Sequence, residues 1–185
     1  YLSLARDELD RLMLTVQRML DFYRPVALDR KLVDLNLLIN NVISLLEQQF
    51  TDHHVTVHSN LMPQLPLVMA VSNQIQQVIL NLLLNAVEAM KDGGSIHIET
   101  SINPSDAGEI EILIEDTGPG IQPSQRKHIF EPFVSTKEHG TGLGLPVSYG
   151  IITAHGGTLD LVDPRKLSVN RGACFRITLP IAERT

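Results

Sequence analysis

Residues 78–87 form an apolar run in which the only polar side chains are Asn81 and Asn85. Residues four apart lie on the same face of an α-helix, and Glu88 continues that face by one turn. A buried amide without a partner costs about 1–3 kcal/mol, so a polar group should lie over this face. Either the two amides are satisfied within the core, or they offer oxygen atoms to a hard cation such as magnesium.

The N-terminal segment has a different pattern. Apolar residues recur at steps of three and four between Leu2 and Met19, which predicts a long amphipathic helix with a heptad seam. Pro25 should end this helix. The seam favours packing into a helical bundle or dimer, and the alternative is packing on its own domain. We therefore expect two parts, the helix at residues 1–25 and a domain at residues 26–185.

The second part alternates between helical and strand patterns. Helices are predicted from Asp34, with Asp34 or Asn36 as N-cap, and at residues 72–91, 124–130 and 141–154, with Ser72 as the N-cap of the second. Strands are predicted at residues 54–59, 95–101, 109–115, 158–162 and 173–179, the second and third as a hairpin. Helices on one face of a mixed, mostly antiparallel sheet make a two-layer α/β sandwich.

Composition excludes several classes of protein. The 185 residues contain 15 Lys+Arg and 21 Asp+Glu, and a net charge of -6 argues against nonspecific nucleic-acid binding. No run approaches the roughly 18 apolar residues that cross a bilayer. Cys174 is the only cysteine, which excludes an internal disulfide and fits a reducing compartment. The first residue is Tyr1, so we expect a soluble, cytoplasmic piece of a longer protein, whose parent could be membrane-attached.

Two glycine-rich turns are candidate ligand sites. Asp116 follows a predicted strand and precedes Gly118 and Gly120; its carboxylate can accept a hydrogen bond from an exocyclic amino group, and the glycines allow close approach of a flat ligand. An ordinary turn is the alternative. Residues 140–145 read Gly-Thr-Gly-Leu-Gly-Leu before a predicted helix, and the start of a helix is a ready anion site. The spacing matches neither the dinucleotide fingerprint nor the P-loop.

Taken in order, these features resemble the N, G1, F and G2 boxes of sensor histidine kinases of two-component systems. The four boxes are the asparagine helix, the turn at Asp116, the Phe-Glu-Pro-Phe stretch at residues 130–133 and the glycine loop at residues 140–144. The resemblance covers residues 72–180. Four boxes in the same order make agreement by chance improbable.

Three further stretches are similar to the same family. Residues 171–175 resemble its final glycine box, and residues 20–25 resemble the end of the second helix of its dimerisation and phosphoacceptor hairpin. Residues 133–137, before a short lid, look most like the nitrogen-sensing subgroup. Phe130 and Phe133 are then expected to be packing anchors at the base of the lid.

The resemblance implies the Bergerat ATP-binding sandwich, with ATP and Mg²⁺ as ligands. Asn85 would hold Mg²⁺, Asn81 would support the metal or the phosphates, and Asp116 would bind the adenine amino group. Lys137 would offset γ-phosphate charge, the alternative being an exposed loop lysine. Backbone contacts would come from Gly118 and Gly120 around the adenine and from Gly140, Thr141, Gly142, Leu143 and Gly144 around the phosphates.

The activity implied is transfer of the γ-phosphoryl group of Mg-ATP to a histidine, with Asn81, Asn85 and Lys137 as the catalytic residues. Hydrolytic relatives place glutamate at position 81, whereas an asparagine cannot take a proton from water at neutral pH. None of the seven histidines fits the family's phosphoacceptor motif, so the acceptor is expected on a preceding helix outside this chain. The partners implied are a response regulator receiver domain and a second copy in the full-length protein.

Several points depart from the family pattern or leave alternatives open. Glu88 stands where many relatives carry lysine, and Cys174 where they often carry threonine. His53, His54 and His58 could form a metal site, but an exposed polar edge fits their spacing better. The competing functions are an anti-sigma-type serine kinase, a hydrolysing ATPase, which Asn81 disfavours, and a non-catalytic ATP-binding regulatory module.

Overall fold

The computed structural model describes residues 29–134, 141–163 and 172–182. The predicted heptad helix at residues 1–25 lies outside the described residues and stays a prediction. The helices are α1 (Leu35–Leu45), α2 (Glu47–Asp52), α3 (Ser72–Ala89) and α4 (Gly144–Ala154). The strands are β1 (Lys31–Val33), β2 (Val55–Leu61), β3 (Val68–Ala70), β4 (Gly94–Ile102), β5 (Glu109–Asp116), β6 (Thr158–Val162) and β7 (Cys174–Pro180).

Five strands form the main sheet in the order β2-β4-β5-β7-β6. The β2 and β4 strands are parallel, and the other three pairings are antiparallel. The predicted hairpin is confirmed as β4 and β5, closed where the Asn103 N–H donates to the Glu109 carbonyl at 2.8 Å. The prediction of a mixed, mostly antiparallel sheet is therefore confirmed.

The core lies between one face of this sheet and the helices. Alternate residues of β4 and β5, such as Ile98 and Ile112, are buried against Ile79 and Leu82 of α3 in a single apolar cluster. Complete burial of each such side chain contributes about 1.5–3 kcal/mol, which fixes α3 across the sheet. The fold is thus the predicted two-layer α/β sandwich. In the described part of the chain, no helix is long and apolar enough to span a bilayer.

The observed helix ends agree with some of the signals in the sequence and differ from others. Asp34 is the N-cap of α1, as predicted, and its carboxylate accepts from the Leu37 N–H at 3.1 Å. The prediction that Ser72 caps α3 is wrong, because Ser72 is the first helical residue and Val71, which makes no side-chain cap, precedes it. The α4 helix begins at Gly144, three residues later than predicted, since Gly142 has a left-handed φ of 64°.

Two further predictions differ from the structure. Residues 123–130 form successive turns rather than a helix, because most of their backbone bonds join residues three apart, as from His128 to Gln125. The β1 and β3 strands were not predicted, and they form a small antiparallel sheet in which Leu32 faces Met69. Strands of three residues are too short to show an alternating pattern.

Candidate functional site

Asp116 is the last residue of β5, and its carboxylate is almost fully buried, with 5% of the residue exposed. Its Oδ1 accepts hydrogen bonds from the Gly118 N–H at 2.8 Å and from the Ala173 N–H at 3.3 Å. Its Oδ2 has no hydrogen-bond partner among the described residues. The side chain is therefore fixed through one oxygen, and the other is left to accept from a ligand.

Ionisation of the Asp116 carboxyl is unfavourable in the folded protein. Desolvation by burial raises the pKa of Asp116 above its ordinary value of 3.8, and repulsion from Glu115 adds to the rise. The two backbone hydrogen bonds act in the opposite direction but do not cancel it. A ligand that donates a hydrogen bond to Oδ2 would stabilise the ionised carboxylate.

Glycines allow the backbone to pack closely around Asp116. A Cβ at Gly118 would lie 2.8 Å from Asp116 Oδ1, and one at Gly120, whose φ is 75°, would lie 2.8 Å from the Gly172 carbonyl oxygen. Gly172 itself has a φ of 122°, and a Cβ there would overlap the Asp116 carbonyl oxygen. A side chain at any of these positions would displace the surrounding backbone, so the glycines set the conformation of the turn that carries Asp116.

Asn81 joins α3 to α4. Its Nδ2 donates to Ser148 Oγ at 3.0 Å, and a Cβ at Gly144 would overlap its Oδ1. Asn85 lies one turn further along the same face and is half-buried, while Glu88 is exposed. The structure thus places Asn81 beside the start of α4 and Asn85 on the same face of α3.

The asparagine face can contribute to a magnesium site but cannot form one alone. Amide oxygens are ligands for a hard cation, and Mg²⁺ characteristically keeps waters and phosphate oxygens in its shell. Within the described ranges, no group of three or more His, Cys, Asp or Glu side chains is arranged to hold a metal. The donor set therefore fits a cation that arrives with a phosphate ligand.

The glycine loop leads directly into α4. Gly142 accepts a hydrogen bond from the Phe133 N–H at 3.0 Å, and a Cβ on Gly142 would lie 2.8 Å from Phe133 Cα. The N-cap of α4 is the buried Leu143, and no side chain caps the helix. The first N–H groups of the helix are therefore available to an anion. Thr141 is half-buried beside them, and Gly140 and Lys137 lie outside the described residues.

The prediction that Phe133 is a packing anchor is wrong. Its residue surface is 70% exposed, and its φ of 66° is left-handed. This unusual backbone is held by the hydrogen bond and close contact with Gly142, not by burial of the ring. Phe130 does pack on the core, with its ring centroid 5.3 Å from that of Tyr149.

Sequence reasoning gave no site role to Ser148 and His155, and it named Gly172 and Ala173 only as part of the stretch that resembles the final glycine box. His155 is buried, and both of its ring nitrogens are hydrogen-bonded: Nδ1 donates to the Ile151 carbonyl at 2.8 Å, and Nε2 accepts from the Val71 N–H at 3.1 Å. Desolvation lowers the pKa of His155, so its neutral form links the end of α4 to the start of α3. A polar residue inside an apolar helical pattern is the signal that could have identified Ser148 and His155.

The remaining predicted positions have structural roles. Cys174 is fully buried and pairs with Glu115 across the sheet, one position from Asp116, so it lies on the opposite face from that carboxylate. His58 stacks on His97 with ring centroids 4.8 Å apart, on the face of the sheet away from the helices.

Comparison with known proteins decides the family. The family model described as "Histidine kinase-, DNA gyrase B-, and HSP90-like ATPase" matches residues 70–183. The chain belongs to this family. The matched range contains the two asparagines, Asp116 and the glycine loop.

Curated relatives and solved structures agree with this assignment. The chain is 36% identical to the sensor histidine kinase ZraS of Escherichia coli (strain K12) over 94% of its length and 36% of that protein's. It is 39% identical to the histidine-protein kinase AtoS of the same organism, over 98% of the chain and 29% of that protein. The chain therefore spans about a third of the length of these relatives.

Two solved structures are similar over nearly the whole chain. Full-length ShkA in complex with AMPPNP has a TM-score of 0.85 at 27% identity, covering 100% of this chain and 39% of that one. Histidine kinase ThkA in complex with the response regulator protein TrrA has a TM-score of 0.79 at 27% identity, covering 98% of this chain and 51% of that one. Both support the Bergerat-type fold for the described residues.

Proposed function

We propose that this chain is the ATP-binding catalytic core of a sensor histidine kinase, which transfers the γ-phosphoryl group of Mg-ATP to a histidine on a partner helix. The observation that supports this most directly is the buried Asp116 carboxylate, with Oδ1 held by two backbone N–H groups and Oδ2 accepting from no described residue. The names of the relatives and the AMPPNP complex of ShkA support the same assignment.

At the adenine end, Asp116 Oδ2 accepts a hydrogen bond from the exocyclic amino group. Gly118 and Gly120, with Gly172 behind them, let the ring approach the backbone closely. A desolvated carboxylate makes a stronger hydrogen bond than one in water, because it has lost its competing solvent. The adenine end of the site recognises the base and takes no part in phosphoryl transfer.

At the phosphate end, Asn85 offers its amide oxygen to Mg²⁺, and Asn81 supports the metal or the phosphates. Magnesium, when bound, neutralises charge on the β- and γ-phosphates. The backbone from Gly140 to Gly144 donates to phosphate oxygens at the start of α4, and Lys137 offsets the γ-phosphate charge. Positioning and charge neutralisation are most of what phosphoryl transfer requires from a protein.

Asn81 also favours transfer over hydrolysis. Its Nδ2 is bound to Ser148, and neither end of a neutral amide can take a proton from an attacking water. A nucleophile that brings its own base or lone pair, such as an imidazole, needs no such group. This distinguishes a histidine kinase core from a hydrolysing ATPase.

The partners follow from this assignment. The acceptor histidine lies on a helix preceding Tyr1 in the parent protein, and the heptad segment at residues 1–25 belongs to the same dimerisation hairpin. The phosphoryl group then passes to a response regulator receiver domain, a class of partner that ThkA binds in its solved complex. The full-length protein is a homodimer, and the nitrogen-sensing subgroup stays a prediction.

The test combines this chain with a separate helical hairpin that carries the upstream sequence of the parent protein. We expect acid-labile label from γ-labelled ATP to appear on a histidine of the hairpin. Asn85→Ala should abolish the label, and Asn73→Ala, an exposed asparagine at the start of α3, should leave it unchanged. Label on a serine would favour the anti-sigma-type kinase, and free phosphate alone would favour the hydrolysing ATPase.

A further inference from the structure

Ser148 is a polar residue in a place that packing alone does not explain. It lies one turn after Gly144 in α4, only 2% of its surface is exposed, and its neighbours Val147 and Ile152 belong to the buried side of the helix. Its hydroxyl accepts the hydrogen bond from Asn81 Nδ2 at 3.0 Å. A buried hydroxyl is tolerated only where it has a partner, so the pair must be considered together.

The bond holds the Asn81 amide against the first turn of α4. Because Nδ2 is held on Ser148, Oδ1 is directed to the first turn of α4, where it contacts Gly144 so closely that a Cβ would overlap it. In the opposite orientation, the amide NH₂ would lie against Gly144, and Ser148 would donate to Oδ1 instead of accepting. The hydroxyl therefore holds the Asn81 side chain in one rotamer, and in the structure it does so by accepting from Nδ2.

We propose that Ser148 is a positioning residue for Asn81, whose side chain it holds beside the first turn of α4, at the phosphate end of the site. This inference rests on the proposed function, because it assigns Asn81 to the phosphates or their magnesium. It adds a residue outside the four sequence boxes to the site. It also explains why Gly144 tolerates no side chain, since the asparagine oxygen occupies that position.

Ser148→Ala removes the hydroxyl without adding volume. We expect the Kd for magnesium with a non-hydrolysable ATP analogue, measured by calorimetry on the whole chain, to rise about three- to tenfold, the equivalent of one hydrogen bond. The matched control is Thr153→Ala, which removes an exposed hydroxyl from the same helix and should leave the Kd unchanged. A fall in thermal stability with an unchanged Kd would show that the bond only supports packing, and would overturn the proposal.

A double-mutant cycle then tests whether Ser148 acts through Asn81. If it does, adding Ser148→Ala to Asn81→Ala should raise the Kd no further than Asn81→Ala alone. Additive effects would contradict the proposal, because Ser148 would then act on the nucleotide by another route.

A measurement without nucleotide separates this inference from the proposed function. In the free protein, the Asn81 side-chain amide protons should exchange slowly with solvent and should exchange faster in Ser148→Ala. Slow exchange together with no nucleotide binding by the unaltered chain would refute the proposed function while leaving the hydrogen bond intact. Equal exchange in both proteins would overturn the positioning role.

Discussion

Replacing Asp116 with asparagine should weaken nucleotide binding without weakening the fold. Asparagine keeps an oxygen that can accept from Gly118 and Ala173, so the two buried N–H groups stay satisfied. It replaces Oδ2 with an NH₂ group, which cannot accept from the adenine amino group. Binding and stability should therefore respond in opposite directions to a single substitution.

The magnitudes follow from the contacts of Asp116. A hydrogen bond to a charged group contributes about 1.5–3 kcal/mol, so its loss should raise the Kd about 10- to 150-fold. Burial raises the pKa of Asp116, which means that ionising this carboxyl destabilises the native state at neutral pH. Asparagine carries no charge, so it removes this destabilisation of the native state. Asp116→Ala should instead lower the unfolding free energy, because each buried N–H that it leaves without an acceptor costs about 1–3 kcal/mol.

The assay compares the Kd for Mg-ADP, from calorimetry, with the free energy of unfolding in urea for the three proteins. Since the folded-state pKa of Asp116 is raised, protonation stabilises the native state, and that contribution is lost as pH rises through the folded pKa. The stability advantage of Asp116→Asn should therefore be present at pH 7 and shrink as the pH falls. An Asp116→Asn protein that binds Mg-ADP normally, or that is as unstable as Asp116→Ala, would refute this reasoning.

Two further predictions concern the ends of α4. His155→Phe should lower the unfolding free energy by about 1–3 kcal/mol above pH 6.5, because the buried Val71 N–H loses its acceptor. Since the folded-state pKa of His155 is lowered, its contribution is lost as pH falls through that pKa, so the variant's deficit in urea unfolding should narrow in acid. The control is His53→Phe, which changes an exposed residue and should leave the unfolding free energy at neutral pH nearly unchanged. Gly142→Ala should weaken Mg-ADP binding in calorimetry, because a Cβ there meets the Phe133 backbone at a φ of 64°; normal binding would show that this loop geometry is dispensable.

Long elements of the fold could be predicted from the sequence because each has a repeated signal. The α3 helix has a complete apolar stripe, and the β4–β5 hairpin alternates on both sides of an Asn-to-Gly link. The β1 and β3 strands have only three residues each, and their pairing depends on the tertiary packing of Val33 and Val68. Local patterns cannot predict such contacts.

The candidate site also has residues that the sequence predicts and contacts that it does not. Asp116, Asn81 and Asn85 stand out because each is a polar residue next to an apolar element. The groups that orient them come from positions distant in the sequence, such as the Ala173 N–H, which is 57 residues from Asp116, and Ser148, which is 67 residues from Asn81. Only the register of β5 with β7 and the contact of α3 with α4 bring these pairs together.

The adenine end and the phosphate end of the site are held by different contacts. The adenine end depends on strand register, because Glu115 pairs with Cys174 and so places Ala173 beside Asp116. The phosphate end depends on the contact between two helices, through Asn81 and Ser148. Because these pairs share no partner, combining Asp116→Asn with Ser148→Ala should give additive changes in the free energy of Mg-ADP binding, within about 0.5 kcal/mol. A coupling well above that value would mean that the sheet and the helix pair adjust together when nucleotide binds, and the site would then have to be treated as one unit.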